Sequence, residues 1–186
     1  LSLKRYFTYT GKVITIDRHE SKDETPNSTL TTDIALNGWT QARLQDKGDS
    51  YYLQDESCRV VELYLAEESI SLVDTWPAGN GRVLKVEFFV EWATDVTQGI
   101  PAGTYTVVAR DKESYGIPRE LLKPGNIASG YPNGFTYPGG TWYEKLQNGA
   151  MKEYARIDGG TMTVARDGDK PVSYTHLRAH ETTLHL

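Results

Sequence analysis

Apolar and charged side chains alternate through the middle of the chain. From Leu84 to Trp92 the even positions Leu84, Val86, Phe88, Val90 and Trp92 are apolar, whereas Lys85, Glu87 and Glu91 are charged. Successive side chains of a strand point to opposite faces, so this spacing predicts a strand with one face in a core and the other in water. Trp92 continues the apolar face and reads as core. Residues 103–110 form a second predicted strand, rich in β-branched and aromatic residues. Residues 153–157 and 161–166 form two more, and Asp158-Gly159-Gly160 between them reads as a tight hairpin turn, because glycine takes the positive φ such turns need. Upstream, residues 12–16 and 59–65 are predicted strands, with 34–36 and 51–53 as weaker ones. Long helical periodicity is absent; residues 119–122 make one turn before Pro124 stops it. Many short strands with frequent turn signals predict a sandwich or barrel. The expected fold is all-β, an antiparallel β-sandwich.

Two stretches break the alternation. Residues 17–29 are polar throughout and read as a connector, and residues 124–140 are rich in Gly, Pro and Asn with Tyr131, Phe135 and Tyr137 interleaved. The organisation expected is terminal strand or strands at 1–16, a polar linker at 17–29, the β domain at 30–170 and a tail at 171–186.

Four Trp, twelve Tyr and four Phe supply enough apolar surface for a core. The net charge of −5 carries no basic stripe and would repel a phosphate backbone, which excludes nucleic acid as the expected partner. No run approaches the ~18–20 apolar residues of a membrane-spanning helix. There is no signal peptide and the first residue is Leu, so the natural start, with any lipid anchor, is expected upstream. The lone Cys58 enters an apolar alternation and reads as a small buried thiol.

The character of the chain changes near Val172. Residues 172–182, Val-Ser-Tyr-Thr-His-Leu-Arg-Ala-His-Glu-Thr, closely resemble the peptide encoded when sequencing-adapter DNA is translated in frame, so residues 171–186 are expected to be a non-native tail. His176 and His180 are four apart, with His185 nearby, which imitates a zinc spacing. The zinc-protease pattern His-Glu-x-x-His is missed by one position, because His180-Glu181 is followed by His185. No metal and no cofactor is expected.

The stretch Ile100-Pro101-Ala102-Gly103-Thr104-Tyr105-Thr106-Val107 resembles a Leu-Pro-Ala-Gly-Thr-Tyr strand opening of β-sandwich lipoproteins from Bacteroidetes gut bacteria. The apolar strand from Leu84 to Trp92 and the block from Ala155 to Val164, followed by Asp167-Gly168-Asp169, agree with it. The resemblance covers about residues 80–170. It implies a further strand after the Gly-Asp turn, and hence a domain truncated before its final strand or strands where the tail begins. Residues 6–12, Tyr-Phe-Thr-Tyr-Thr-Gly-Lys, look like that family's terminus; they are either the end of a preceding copy or part of this domain's first strand. It also implies export to the outer membrane, cell surface or periplasm, beside glycan-uptake or adhesion machinery.

No catalytic constellation emerges. Gly-x-Ser-x-Gly, Walker and dinucleotide patterns are absent, and the one His outside the tail, His19, lies in the polar connector. Glu87 and Glu91 on one strand would be about 13–14 Å apart, too far to flank one glycosidic bond, and read as a solvated face. Asp167-Gly168-Asp169 lacks the further oxygen ligands of a calcium loop and reads as a hairpin turn. Aromatics carry the binding hypothesis: Tyr131, Phe135, Tyr137, Trp142 and Tyr143 fall within thirteen positions and offer ring faces to sugars. The alternative is that they cap the core. Trp39 and Trp76 are separate candidates, with Trp76-Pro77 read rather as a turn packed on the sandwich. The expected function is a non-enzymatic, exported surface module with a binding or structural role, glycans being one ligand class. A structural or adhesin-like subunit using edge strands against other proteins, and an accessory domain of a larger hydrolase, stay open beside it.

Overall fold

The computed structural model describes residues 4–7, 14–21, 28–131, 139–167 and 170–182. Phe135, Tyr137, Gly168, Asp169 and His185 lie outside them. The chain is all-β. The strands are β1 (Lys4–Phe7), β2 (Ile14–Ser21), β3 (Ile34–Leu36), β4 (Gln41–Gly48), β5 (Arg59–Ala66), β6 (Ile70–Ser71) and β7 (Ala78–Gly79). They continue as β8 (Gly81–Val90), β9 (Gly103–Val108), β10 (Asn126–Ala128), β11 (Trp142–Gln147), β12 (Ala150–Asp167) and β13 (Lys170–Thr182). Two short 3-10 turns, Val96–Gln98 and the predicted one at Arg119–Leu121, are the helical pieces among the described residues. No helix there is long and apolar enough to cross a membrane.

Eleven strands join one sheet, and β6 and β7 pair by themselves. The sheet closes on itself: β8 pairs β10, β10 pairs β9, β9 pairs β12, β12 pairs β11, and β11 returns to β8. Two wings leave this five-stranded ring, β5-β4-β1 from β8 and β13-β2-β3 from β12. The expected sandwich is therefore not a plain pair of stacked sheets. One buried cluster nonetheless spans ring and wings, with Leu84, Val86, Phe88, Tyr105 and Ile127 from the ring, Leu44 and Leu63 from one wing, and Ile16, Leu36 and Leu177 from the other. Phe88 meets Tyr105 edge to face at 4.9 Å in its centre.

The long strand β12 makes the closure possible and corrects the hairpin expected at Asp158-Gly159-Gly160. Its first half pairs β11 and its second half pairs β9 and β13, with a register shift between Ile157 and Gly159. Gly160 does take a positive φ of 99°, but to bend one strand rather than to reverse it. An extra residue in one strand raises the local twist and carries it round a corner. Pairing partners on both sides of the bend outweigh the turn preference of the sequence.

Other segments also differ from expectation. Residues 17–21, read as connector, belong to β2 and run parallel to β13, and Thr29 bonds the Tyr154 backbone. Strand pairing uses backbone groups that any non-proline residue carries, so polar composition does not forbid it. Lys170–Thr182, all but its first residue in the expected tail, forms β13 between β12 and β2. Residues 51–53 are a turn and loop, not a strand. Trp92, read as core, lies beyond the end of β8, half-buried, with the Arg59 guanidinium 5.2 Å over its ring.

Cutting Phe88, fully buried at the centre of the ring, to Ala is expected to cost about 3–5 kcal/mol in urea denaturation. Val73→Ala, at a position 71% exposed, is expected to stay within about 0.5 kcal/mol.

Candidate functional site

The even face of β8 meets the core as its alternation predicts, but the odd face is not solvated. Val83, Lys85, Glu87 and Phe89 are all buried. Phe89 joins an apolar cluster with Val60, Val108, Ile117 and Leu122, while Val83 joins another with Tyr64, Ile70, Leu72 and Leu146. Between these two clusters runs a polar belt. Register places Arg43, Tyr64, Lys85 and Trp142 side by side across β4, β5, β8 and β11, and Gln45, Glu62 and Glu87 in the adjacent row.

Glu62 and Glu87 thus face each other directly, which like charges resist. Lys85 resolves the conflict: its Nζ lies 3.1 Å from Glu62 Oε2 and 2.9 Å from Glu87 Oε1. Burial by itself would raise the Glu87 carboxyl, but the Lys85 ammonium and its hydrogen bond, the Gly140 N–H and the Tyr51 hydroxyl outweigh burial and hold it below the usual carboxylate range. Burial would likewise lower the Lys85 ammonium, yet Glu87 and Glu62 push it above its ordinary value. Glu87 and Lys85 are both charged near neutral pH. Glu144 differs: burial pushes its carboxyl up to about 7, with Lys85 pulling part of the way back.

Above the belt lies a cleft of about 390 Å³, toward the small end of the ~300–1,000 Å³ typical of ligand pockets. Its lining includes Tyr51, Glu62, Tyr64, Trp76, Lys85, Glu87, Arg110 and Tyr131, with Gly139 and Gly140. Two arginines build the walls. The fully buried Arg43 donates Nη1 to the carbonyls of Leu72 (2.7 Å) and Asp74, and Nη2 to that of Thr75 (3.1 Å), fixing the segment that leads to Trp76. Its guanidinium sits 4.2 Å over the Tyr64 ring. Arg110 donates to the carbonyls of Ser129 (3.0 Å) and Tyr115 (3.1 Å) and to the Tyr51 hydroxyl (3.2 Å), and lies 5.3 Å over the Tyr131 ring. Tyr51 in turn donates to Glu87 Oε2 at 3.1 Å.

Close backbone packing completes the rim. The Gly140 N–H donates to Glu87 Oε1 at 2.9 Å, and Tyr131 N–H to the Gly139 carbonyl at 2.7 Å. At Gly140 the φ is +75° and a Cβ would lie 2.0 Å from the Ser129 carbonyl oxygen, so only glycine fits.

Of the aromatics singled out in the sequence, Tyr131 stands at the cleft, 43% exposed. Trp142 and Tyr143 do not reach it, being 0% and 1% exposed. Position on β11, hydrogen-bonded on both sides, buries them: Trp142 donates its indole N–H to the Gly139 carbonyl, and Tyr143 its hydroxyl to Glu153 at 2.6 Å. Both serve the core and its cover. Phe135 and Tyr137 fall outside the described residues. Of the two separate candidates, Trp39 is buried in the main core, whereas Trp76 lines the cleft and is 42% exposed. Glu91 is exposed beyond β8 and does not meet Glu87; the carboxylate brought to Glu87 is Glu62. Cys58 is buried, its thiol pushed up by burial and donating to the Leu122 carbonyl. Among the described residues no group of three or more His, Cys, Asp or Glu is placed to hold a metal ion.

Glu62, Lys85 and Arg43 were missed as site residues because each sits on an alternating strand and looks like its wet face. The available signal was opposite charge on two strands that both carried a complete apolar face. Compared with known families, curated proteins and solved structures, the chain matches none.

Lys85→Met would strand two buried carboxylates and is expected to lower stability by about 3–5 kcal/mol in urea denaturation. Glu144, raised from 4.5 to about 7, keeps a proton in the folded state that the unfolded chain releases. Its contribution to stability is full below about 4.5 and is lost as pH rises through about 7. Denaturation midpoints at about pH 5 and about pH 8 are expected to show that loss in the parent chain and a smaller one in Glu144→Gln.

Proposed function

We propose that this chain is a non-enzymatic, glycan-binding module of an exported surface protein, and that the cleft over the Glu62–Lys85–Glu87 belt is its binding site. The observation that carries this reading is the distribution of exposed apolar side chains. Among the described residues the large ones are Tyr52, Val73, Trp76, Tyr115 and Tyr131. Trp76 and Tyr131 line the cleft, Tyr115 meets Tyr131 edge to face, and Tyr52 and Val73 lie within two positions in sequence of the lining residues Tyr51 and Thr75. Exposed aromatic rings at and beside a polar-floored cleft mark a recognition surface. Aromatic faces suit the C–H faces of sugar rings, and the charged floor suits their hydroxyls.

Binding fits the cleft better than hydrolysis does. A glycosidase needs one carboxyl that gives up a proton and one that stays ionised. Both carboxylates of the cleft are clamped on Lys85, while Glu144, the carboxyl that holds a proton near neutrality, is not among the lining residues. Export to the cell surface rests on the lipoprotein-like strand opening at residues 100–107.

The test is retention on a polysaccharide panel by affinity electrophoresis. The parent chain is expected to be retarded by at least one polysaccharide, with Trp76→Ala and Tyr131→Ala each weakening retention about tenfold or more. A parent chain that migrates unretarded through every polysaccharide removes the proposal.

A further inference from the structure

Tyr115 stands just outside the cleft on a turn built to present it. The Asp111 carboxylate accepts from the backbone N–H groups of Glu113 (3.1 Å) and Ser114 (2.8 Å) and from the Ser114 hydroxyl (2.9 Å). Asp111 N–H donates to the Gly116 carbonyl at 2.7 Å, and Tyr115 N–H to the Asp111 carbonyl at 2.9 Å. These bonds hold Tyr115 at a φ of 57°, a left-handed conformation that costs a bulky residue roughly 1–3 kcal/mol. Such strain persists only where surrounding contacts over-determine it. Tyr115 is 37% exposed, yet its ring meets Tyr131 edge to face at 5.9 Å, and Arg110 holds the Tyr115 carbonyl while lying over Tyr131. The two tyrosines are thus parts of one rigid assembly, one at the cleft and one beyond its rim. A cleft of about 390 Å³ takes only a short piece of a polysaccharide, so a longer chain must extend beyond its rim, and Tyr115 stands at one side of that rim.

We propose that Tyr115 is a second stacking platform and that the ligand is an oligosaccharide chain, with one end of the bound stretch in the cleft and its continuation lying on Tyr115. This rests on the glycan-binding reading and specifies chain length as a determinant of affinity.

The experiment is calorimetric titration of the parent chain, Tyr115→Ala and Tyr115→Phe with paired short and long oligosaccharides: cellobiose and cellohexaose, xylobiose and xylohexaose, maltose and maltohexaose. Circular dichroism of each variant verifies the fold. For the series that binds, the hexasaccharide is expected to bind the parent chain more tightly than the disaccharide. Tyr115→Ala is expected to weaken the hexasaccharide roughly tenfold and to leave the disaccharide within about twofold, with Tyr115→Phe restoring the difference. Equal loss for both lengths, or no loss for either, overturns the second platform while leaving the cleft as a glycan site. Absence of binding by the parent chain to every member of the panel overturns both.

Discussion

Two glutamates placed opposite each other on neighbouring strands set the terms for the outer face of this sheet. The register of β5 and β8 puts Glu62 against Glu87 out of water, and the Lys85 ammonium between them makes that tolerable. A slip of one residue would turn these charges into the main core and the core residues outward, so the belt and the apolar faces enforce the same register. Buried ion groups of this kind add little net stability against an apolar equivalent, but removing one member is costly. Their consequence here is positional. Glu87 uses its remaining capacity on Gly140 N–H and the Tyr51 hydroxyl, so the floor also fixes two parts of the cleft wall.

The two arginines extend this rigidity outward. Arg43 and Arg110 spend most of their hydrogen bonds on backbone carbonyls of loops, and each lies over an aromatic ring. A planar guanidinium with several fixed donors suits bracing irregular backbone, which has carbonyls left unpaired by any ladder. Loops carrying Trp76 and Tyr131 are therefore held before any ligand arrives, which reduces the ordering cost of binding.

Closure of the sheet explains why so much of the chain contributes to one cleft. β10 is three residues long, yet it links β8 to β9 and completes the ring. The segment after it, from Ser129 to Tyr131, bonds Val108 and Ile157 and bridges to Thr141 and Gly139, while the neighbouring Gly140 N–H reaches Glu87 on β8. The bend in β12 brings its two halves to opposite sides of the ring, so that β11 lies beside β8 while β9 closes the far side.

Alternation along residues 84–90 was sufficient to establish an all-β chain and the side of β8 that faces the core, because strand periodicity is local and apolar side chains have one place to go. Tyr131 was legible as an aromatic beside loop-forming residues, and Cys58 as a small buried thiol. Whether Lys85 and Glu87 were wet or buried was not legible, since a charged position looks the same on an open face and under a covering loop. For Trp76 and Trp142 the choice between binding and packing stayed open for the same reason: exposure depends on which distant strand or segment lies alongside. Hydrophobic and polar character along the chain determined the strands. Register, the bend at Ile157–Gly159 and the loops that reach β8 decided the cleft, because those depend on pairings between residues far apart in sequence.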